Sequence, residues 1–202
     1  MHILHKIKFM ASVFVLISFS TIYANEANIS RSLPTDDPRA TSVQYIFPAS
    51  PSQAYPVVLD CLKKRFSVTY AERENKSEVE QFGKYGDIRS DYGYCDETEK
   101  KCREKCYALV HIVPGYPNYS LVTIGCDLER WKSRFGAHNL FDWKRDWIGE
   151  GEQTLFLAAD MLEMVREGLG FPADKVIRLR KYYSRDNIIS LINEYETKTV
   201  NK

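Results

Sequence analysis

The sequence has little of what marks several common classes of protein. Its 202 residues carry a formal net charge of only +1, so no strong electrostatic field favours binding to nucleic acid or to a membrane surface. Five cysteines are too few for a disulfide-dense miniprotein. The sequence also has no phosphate-binding glycine loop, no nucleophile elbow and no metalloprotease helix. It therefore predicts no catalytic residues, no cofactor and no metal site.

The composition that remains is that of an ordinary globular protein. Hydrophobic residues make up 44% of the chain and charged residues 27%, which excludes a collagen-like, low-complexity or wholly disordered protein. The length is that of one domain with a tail.

Residues 1–24 have the layout of a secretory signal peptide. Lys6 and Lys8 form a basic start, Phe9–Phe19 is an apolar stretch, and small residues follow up to Ala24. The apolar stretch is shorter than the roughly 20 residues of a membrane-spanning helix, so we expect cleavage after Ala24 rather than an uncleaved anchor. We then expect the mature chain to be exported to the periplasm, with the extracellular medium as the alternative. In either location its cysteines are in an oxidising compartment.

Hydrophobic periodicity predicts an α+β fold for the rest of the chain. The polar residues 25–42 read as a flexible linker, and the highly polar residues 73–105 as a long loop or ragged hairpin. Between and after them we expect one antiparallel sheet, with two helices packed on one face. The predicted domains are the linker 25–42, an α+β domain over 43–171, and a basic strand and helix over 172–202. The predicted elements are strands at 43–47 and 67–72, a hairpin at 106–126, helices at 52–65 and 152–168, a short strand within 175–182 and a final helix at 184–197.

The hairpin is the most specific of these predictions. Two strand-like runs flank the turn sequence PGYPN, and centring the hairpin on Tyr116 places Cys106 opposite Cys126. In that register Ala108, Val110, Val122 and Ile124 share one apolar face, whereas Tyr107, Leu109, His111, Leu121 and Thr123 fall on a more mixed face.

The order of elements resembles the BamC-like helix-on-sheet modules of bacterial envelope proteins. The residues that carry the resemblance are FPASPSQAYPVVLDCLKK followed by SVTYAERE, and it covers about Val43 to Phe171. This sequence departs from those modules because it has no lipid-anchor cysteine and has the Cys95–Cys106 insertion. The resemblance implies the fold and an envelope location, and it assigns no residue a role.

The cysteines predict two disulfides and one unpaired thiol. Cys106 pairs with Cys126 through the hairpin register, and Cys95 pairs with Cys102 around a short charged loop, with Cys95–Cys106 as a competitor. Cys61 lies on the apolar face of a helix, which favours a buried thiol. A disulfide from Cys61 to Cys106 or Cys126, or to another chain, stays open. The cysteine spacing in 95–106 is not that of a zinc site.

Aromatic and basic residues alternate between residues 131 and 147, which makes this segment the candidate binding surface. Aromatic side chains beside arginine are typical anchors of protein interfaces, although the same rings also complete a core under a long loop. Neighbouring acidic residues nearly cancel the basic charge and argue against nucleic acid. The candidate residues are Trp131, Arg134, Phe135, Phe141, Trp143 and Trp147.

A second candidate surface is the final helix. Ile188, Leu191, Ile192 and Tyr195 form its apolar stripe, and little chain is left to cover them, so a partner is expected to do so. The basic strip before it has the composition of a solvated face or of a surface for an acidic partner or anionic lipid. That strip consists of Lys175, Arg178, Arg180, Lys181 and Arg185.

These observations favour a non-catalytic exported protein that acts as an interaction module in a cell-envelope or secretion assembly. We expect a protein partner in the envelope, no nucleic acid and no transmembrane anchor after signal cleavage, and the oligomeric state stays open. One alternative is a small-ligand-binding protein with a pocket between the sheet and the 131–147 segment. Another is a secreted enzyme or effector, for which His111 and His138 are the only histidines left after cleavage.

Overall fold

One antiparallel sheet organises the described part of the chain. The computed structural model describes residues 32–37, 40–73, 83–95, 101–131, 147–149, 151–181 and 183–200, so the predicted signal peptide lies outside the described residues. The strands within these ranges are β1 (Ser42–Phe47), β2 (Val68–Arg73), β3 (Gly83–Ser90), β4 (Gly93–Tyr94), β5 (Cys102–Ile112), β6 (Ser120–Trp131), β7 (Trp147–Gly149) and β8 (Ile177–Leu179). The helices are α1 (Pro51–Arg65), α2 (Gly151–Gly168) and α3 (Arg185–Val200).

The strands form a single sheet in the order β2-β3-β5-β6-β1-β8. Every pair is antiparallel, with β4 beside β5 and β7 beside β6. The predicted α+β fold with an antiparallel sheet is therefore confirmed.

The central hairpin has the predicted register. Cys106 lies opposite Cys126, Ala108 opposite Ile124 and Val110 opposite Val122. Both strands are longer than predicted, with 11 residues in β5 and 12 in β6. Each extends at one end beyond the part that pairs with β3 or β1.

The main core lies on the face that carries these even-numbered hairpin residues. Side chains of α1 and α2 belong to the same buried cluster as those of β1, β3, β5 and β6. Both helices bury one stripe of apolar residues in it, as their helical spacing requires. The fully buried side chains of this cluster include Phe47, Val58, Leu62, Ile88, Val110, Ile124, Met161 and Leu162.

A local signal fixes the start of α1, and a contact with the sheet holds its last residue. Ser50 is the N-cap, and its hydroxyl accepts a hydrogen bond from the Gln53 amide while the Gln53 side chain accepts one from the Ser50 amide. At the other end Arg65 forms two hydrogen bonds, of 3.0 and 3.1 Å, with the carboxylate of Glu104 on β5. The helix is thus joined to the sheet by an ion pair as well as by its apolar stripe.

The predicted C-terminal helix is present, but the prediction that its apolar stripe lacks cover within the chain is wrong. Ile188 and Ile192 are only 2% and 0% exposed. They pack with Ile46 and Leu121, which alternate with core residues along β1 and β6 and therefore lie on the opposite face of the sheet from α1 and α2. Leu191 is partly buried against the same cluster. The helix therefore covers the part of this opposite face that is formed by β1, β6 and β8.

The predicted flexible linker includes residues that are bound to the fold. Thr35 is only 6% exposed, and its hydroxyl donates a 2.8 Å hydrogen bond to the Arg180 carbonyl. The Asp36 amide donates to the same carbonyl, and the Arg180 guanidinium binds the Asp36 carboxylate and the Leu33 carbonyl. The compact unit accordingly begins at Leu33 rather than at residue 43.

Two arginines of the basic strip, Arg178 and Arg180, are engaged by contacts within the chain. Arg180 holds the N-terminal segment, and Arg178 on β8 binds Glu163 of α2 at 2.9 and 3.0 Å. Arg166 binds the other oxygen of Glu163 at 2.7 Å. Burial and Glu163 raise the pKa of the neighbouring Tyr45 hydroxyl to about 12. Glu163 therefore ties α2 to the strands β1 and β8.

The segment predicted as a loop or ragged hairpin contains regular strand. Most of it that is described belongs to β3, β4 and the start of β5. The loop alternative is wrong for 83–90, whereas the hairpin alternative fits β4 and β5, which pair beside the Cys95–Cys102 disulfide. The core side of β3 carries Gly86, Ile88 and Ser90, and Tyr85 packs against the same core beside a bulge, so its apolar residues do not alternate regularly. A strand of this composition lacks the alternating hydrophobic pattern that identifies a strand in a sequence.

Both predicted disulfides are present. Cys95 is bonded to Cys102 and Cys106 to Cys126, while Cys61 is a free, buried thiol. Two disulfides indicate a non-cytoplasmic compartment, because reducing conditions in the cytosol disfavour them. Within the described residues, no helix is both long and apolar enough to cross a membrane.

Candidate functional site

The sheet face opposite α1 and α2 carries three exposed tyrosines. Tyr70 on β2, Tyr92 before β4 and Tyr107 on β5 are 42%, 37% and 36% exposed, whereas most other large apolar side chains in the described ranges are buried or half-buried. In the described part of the chain, the helix on this side, α3, packs against the end formed by β1, β6 and β8. We call the remaining area, with these tyrosines and Arg89, Arg103, Lys105, Asp87, Asp127 and Glu129, the tyrosine face.

A row of paired residues across four strands forms the centre of the tyrosine face. Tyr70 pairs with Arg89, Arg89 with Tyr107, and Tyr107 with Gly125. The Arg89 guanidinium lies 5.6 Å from the centre of the Tyr70 ring, a cation–π contact. The Tyr107 ring lies across Gly125, where a Cβ atom would approach it to 2.3 Å. The missing side chain at Gly125 therefore sets the position of an exposed tyrosine.

Tyr92 forms the second part of the tyrosine face, beside the end of β5. Arg103 and Lys105 lie 4.3 and 4.5 Å from the centre of its ring. Its hydroxyl donates a 2.8 Å hydrogen bond to Glu129. Burial, followed by the interaction with Glu129, raises the pKa of this hydroxyl. The ring is thus held in place while more than a third of the residue stays exposed.

The charges of the tyrosine face are paired with one another. Arg89 binds both oxygens of Asp87, at 3.0 and 2.8 Å, and hydrogen bonds from Arg89 hold the pKa of that carboxyl below its usual value. Lys105 lies 3.2 Å from Asp127, and Arg103 forms an ion pair with Glu129. The face therefore offers donors and acceptors of both signs without a net charge that would attract a polyanion.

An open groove on the tyrosine face is lined by two ion pairs, Arg89–Asp87 and Lys105–Asp127. Its volume is about 450 Å³, within the range of small-molecule sites. Its lining includes Asp87, Arg89, Lys105, Tyr107, Leu109 and Asp127.

Within the described residues, Cys61 and His111 are not placed together as a nucleophile and its base. A thiol nucleophile needs a nearby base, but Cys61 belongs to the main core and His111 to the opposite side of the sheet. Burial raises the pKa of the Cys61 thiol, which disfavours the reactive thiolate. Burial, followed by the charge of Lys84, lowers the pKa of His111. Among the residues that the structure describes, no three His, Cys, Asp or Glu side chains are grouped to hold a metal ion.

The predicted tryptophan surface lies largely outside the described residues. This applies to Arg134, Phe135, Phe141 and Trp143. The backbones of Trp131 and Trp147 are paired across β6 and β7, so the two ends of the segment meet at the edge of the hairpin. Its role as a binding surface stays a prediction.

The second predicted surface is partly inside the protein. Ile188 and Ile192 are buried, Leu191 is half-buried, and the Tyr195 hydroxyl reaches the Asp174 carbonyl at 3.5 Å. This stripe holds the helix to its own chain, and that leaves two of its four residues out of reach of a partner.

The tyrosine face was missed because its residues are far apart in the sequence. The hairpin register did place Tyr107 on the mixed face, but nothing in the sequence indicated that β2 and β3 would add Tyr70 and Arg89 to the same row. The strand that joins them, β3, was not predicted because its composition is polar.

Comparison with known proteins gives no family for this chain. No family model matches the sequence, and no curated protein matches it. The resemblance to BamC-like modules therefore stays a prediction from the residues.

Proposed function

We propose that this protein is a non-catalytic, exported interaction module of a cell-envelope or secretion assembly, and that it binds a protein partner through the tyrosine face. The observation that carries the proposal is the row of Tyr70, Arg89 and Tyr107 on the part of this sheet face that no described helix covers. Tyrosine and arginine are the residue types enriched at the centres of protein interfaces. The periplasm is the proposed location, with the extracellular medium as the alternative.

The charge pattern supports a protein partner over nucleic acid. Three ion pairs neutralise the cations of the face, and a surface of this kind gains little from the counterion release that drives binding to nucleic acid. It can match the mixed charges and hydrogen-bonding groups of a protein surface. We expect the partner to present apolar side chains to the tyrosine rings and a balanced set of polar groups to the ion pairs.

Crosslinking in the native envelope tests this function. Full-length protein carrying Tyr107→Ala and Tyr92→Ala is expected to lose at least about tenfold in the yield of its crosslinked partner, since interface tyrosines are frequent hot spots. Tyr195→Ala is the matched control, because it removes a tyrosine of α3 that lies outside the face. If Tyr195→Ala abolishes capture and the double variant does not, the partner binds elsewhere and the proposal is wrong.

A small-ligand-binding function is the second candidate, and the 450 Å³ groove supports it. Native mass spectrometry of protein purified from its own envelope would detect such a ligand. A bound small molecule that is lost with Tyr107→Ala, together with no captured protein, would favour this function over the first.

A further inference from the structure

The two edges of the sheet are protected very differently. At one edge β8 has three residues, and Arg180 just beyond it is bound by the segment Leu33–Asp36. At the other edge β2 has six residues, of which Thr69–Arg73 are all exposed. Among the described strands, only β3 pairs with β2. An exposed edge strand is a template for pairing with another strand, and proteins commonly block it.

The sequence of β2 has only part of the usual protection of an open edge. Its residues VTYAER include the charged Glu72 and Arg73 but no proline and no lysine, two residues that commonly block edge pairing. A bulge lies between Val68 and Tyr70, and from Tyr70 to Arg73 the pairing with β3 is regular. The regular part carries charge only at Glu72 and Arg73, so the register of an incoming strand decides whether these charges repel it.

We propose that β2 pairs antiparallel with β2 of a second copy of this chain, about a two-fold axis through Ala71. A two-fold axis perpendicular to the sheet leaves the corresponding faces of the two copies on the same side. Residues that lie opposite each other must therefore both have even numbers or both have odd numbers. Pairing about Ala71 places each Tyr70 opposite Glu72 of the second copy. Ala71 of one copy then lies opposite Ala71 of the other, and this small side chain allows the two strands to approach closely.

The side chains of β2 fit this register. Tyr70 already donates a hydrogen bond to Glu72 of its own chain, and the same donor and acceptor meet across the proposed axis. No charge lies directly opposite a like charge, because Glu72 faces a tyrosine and the axis passes through an alanine. A strand with two acidic residues at these positions would instead repel its copy.

Dimerisation through β2 joins two tyrosine faces into one surface. Each copy contributes its row of Tyr70, Arg89 and Tyr107 to the same side of a continuous sheet. A partner with two matching sites would then bind with an avidity above that of a single face. Since a pairing of this length buries less area than a typical stable dimer, we expect the dimer to depend on protein concentration.

Disulfide trapping with the full-length protein tests the register. Directly paired residues of antiparallel strands have Cα atoms about 4.5–5.5 Å apart, within the range of a disulfide. Ala71→Cys is therefore expected to form a covalent dimer on mild oxidation at high protein concentration. Arg73→Cys, on the same strand and also exposed, is the matched control and is expected to form at least about fivefold less, because its copy lies several residues away. The wild-type thiol Cys61 is buried and gives the background.

A second measurement does not depend on chemistry at a cysteine. Sedimentation of the wild type is expected to show a reversible dimer, and Ala71→Lys is expected to weaken it at least about tenfold by placing two cations opposite each other. A monomeric wild type, equal trapping of Ala71→Cys and Arg73→Cys, or a covalent product with a different protein would each overturn the proposal. Capture of a partner through Tyr107 and Tyr92 is a separate result, since neither residue lies on β2.

Discussion

Two glycines of the sheet offer a matched test of how each face is built. Gly86 and Gly125 both lie within strands, and each lies beneath a tyrosine ring. A Cβ atom at Gly86 would approach Tyr55 to 2.2 Å, and one at Gly125 would approach Tyr107 to 2.3 Å. The two contacts are equally close, but Tyr55 is 8% exposed in the main core and Tyr107 is 36% exposed on the tyrosine face.

The same substitution should therefore have different costs at the two positions. Alanine in place of strand glycine gains about 0.5–1 kcal/mol from the backbone. At Gly86 the buried Tyr55 ring has no free space to enter, so overpacking costs about 1–3 kcal/mol and we expect a net loss of about 1–2 kcal/mol. At Gly125 the exposed Tyr107 ring can swing into solvent, so we expect a change within about 0.5 kcal/mol.

Urea and thermal unfolding of the two variants, both followed by circular dichroism, measure this difference. Gly86→Ala is expected to lower the thermal midpoint by roughly 2–8 °C for a protein of this size, and Gly125→Ala to leave it nearly unchanged. Because Gly125→Ala displaces the Tyr107 ring, it should nevertheless reduce capture of the partner. Equal losses of stability for the two variants would refute the assignment of the two rings to a closed core and an open surface.

Three further predictions concern the stability of the fold. Replacing Cys106 and Cys126 together by serine should cost about 3 kcal/mol in urea unfolding, the loop-closure value for a sequence separation of 20; no change on reduction of the wild type would contradict this. Burial raises the pKa of Glu163, but hydrogen bonds from Arg166, Arg178 and Tyr45 together outweigh it and hold that pKa below its usual 4.5. Its contribution is therefore complete above about pH 4.5 and is lost as the pH falls through the lowered pKa, so Glu163→Gln should flatten the acid limb of a plot of stability against pH. Arg65→Met should cost about 1 kcal/mol because it removes two hydrogen bonds from the nearly buried Glu104, while Lys63→Met, at an exposed position of the same helix, should cost nothing measurable.

The parts of the fold that follow from local patterns were predictable from the sequence. The register of β5 and β6 was correct because a shift by one residue would move its apolar residues to the wrong face and separate Cys106 from Cys126. The helices α1 and α2 were identified by apolar residues at helical spacing.

The parts that were missed depend on contacts between distant residues. The cover of α3 comes from single apolar side chains on three strands, Ile46, Leu121 and Leu179, none of which forms a pattern by itself. The attachment of Thr35 and Asp36 uses the backbone carbonyl of Arg180, a group that every residue possesses. The row of the tyrosine face exists only once β2, β3 and β5 are in register.

The position of β1 in the sheet has a consequence for how the chain folds as it is made. This strand, at the start of the compact unit, lies between β6 and β8, so neither neighbour exists until more than 70 further residues have emerged. The hairpin of β5 and β6 needs only its own turn and can form first. During synthesis or export the apolar residues of β1 therefore have no strand to pair with. We expect β1 to pair with β6 and β8 in one of the last steps of folding.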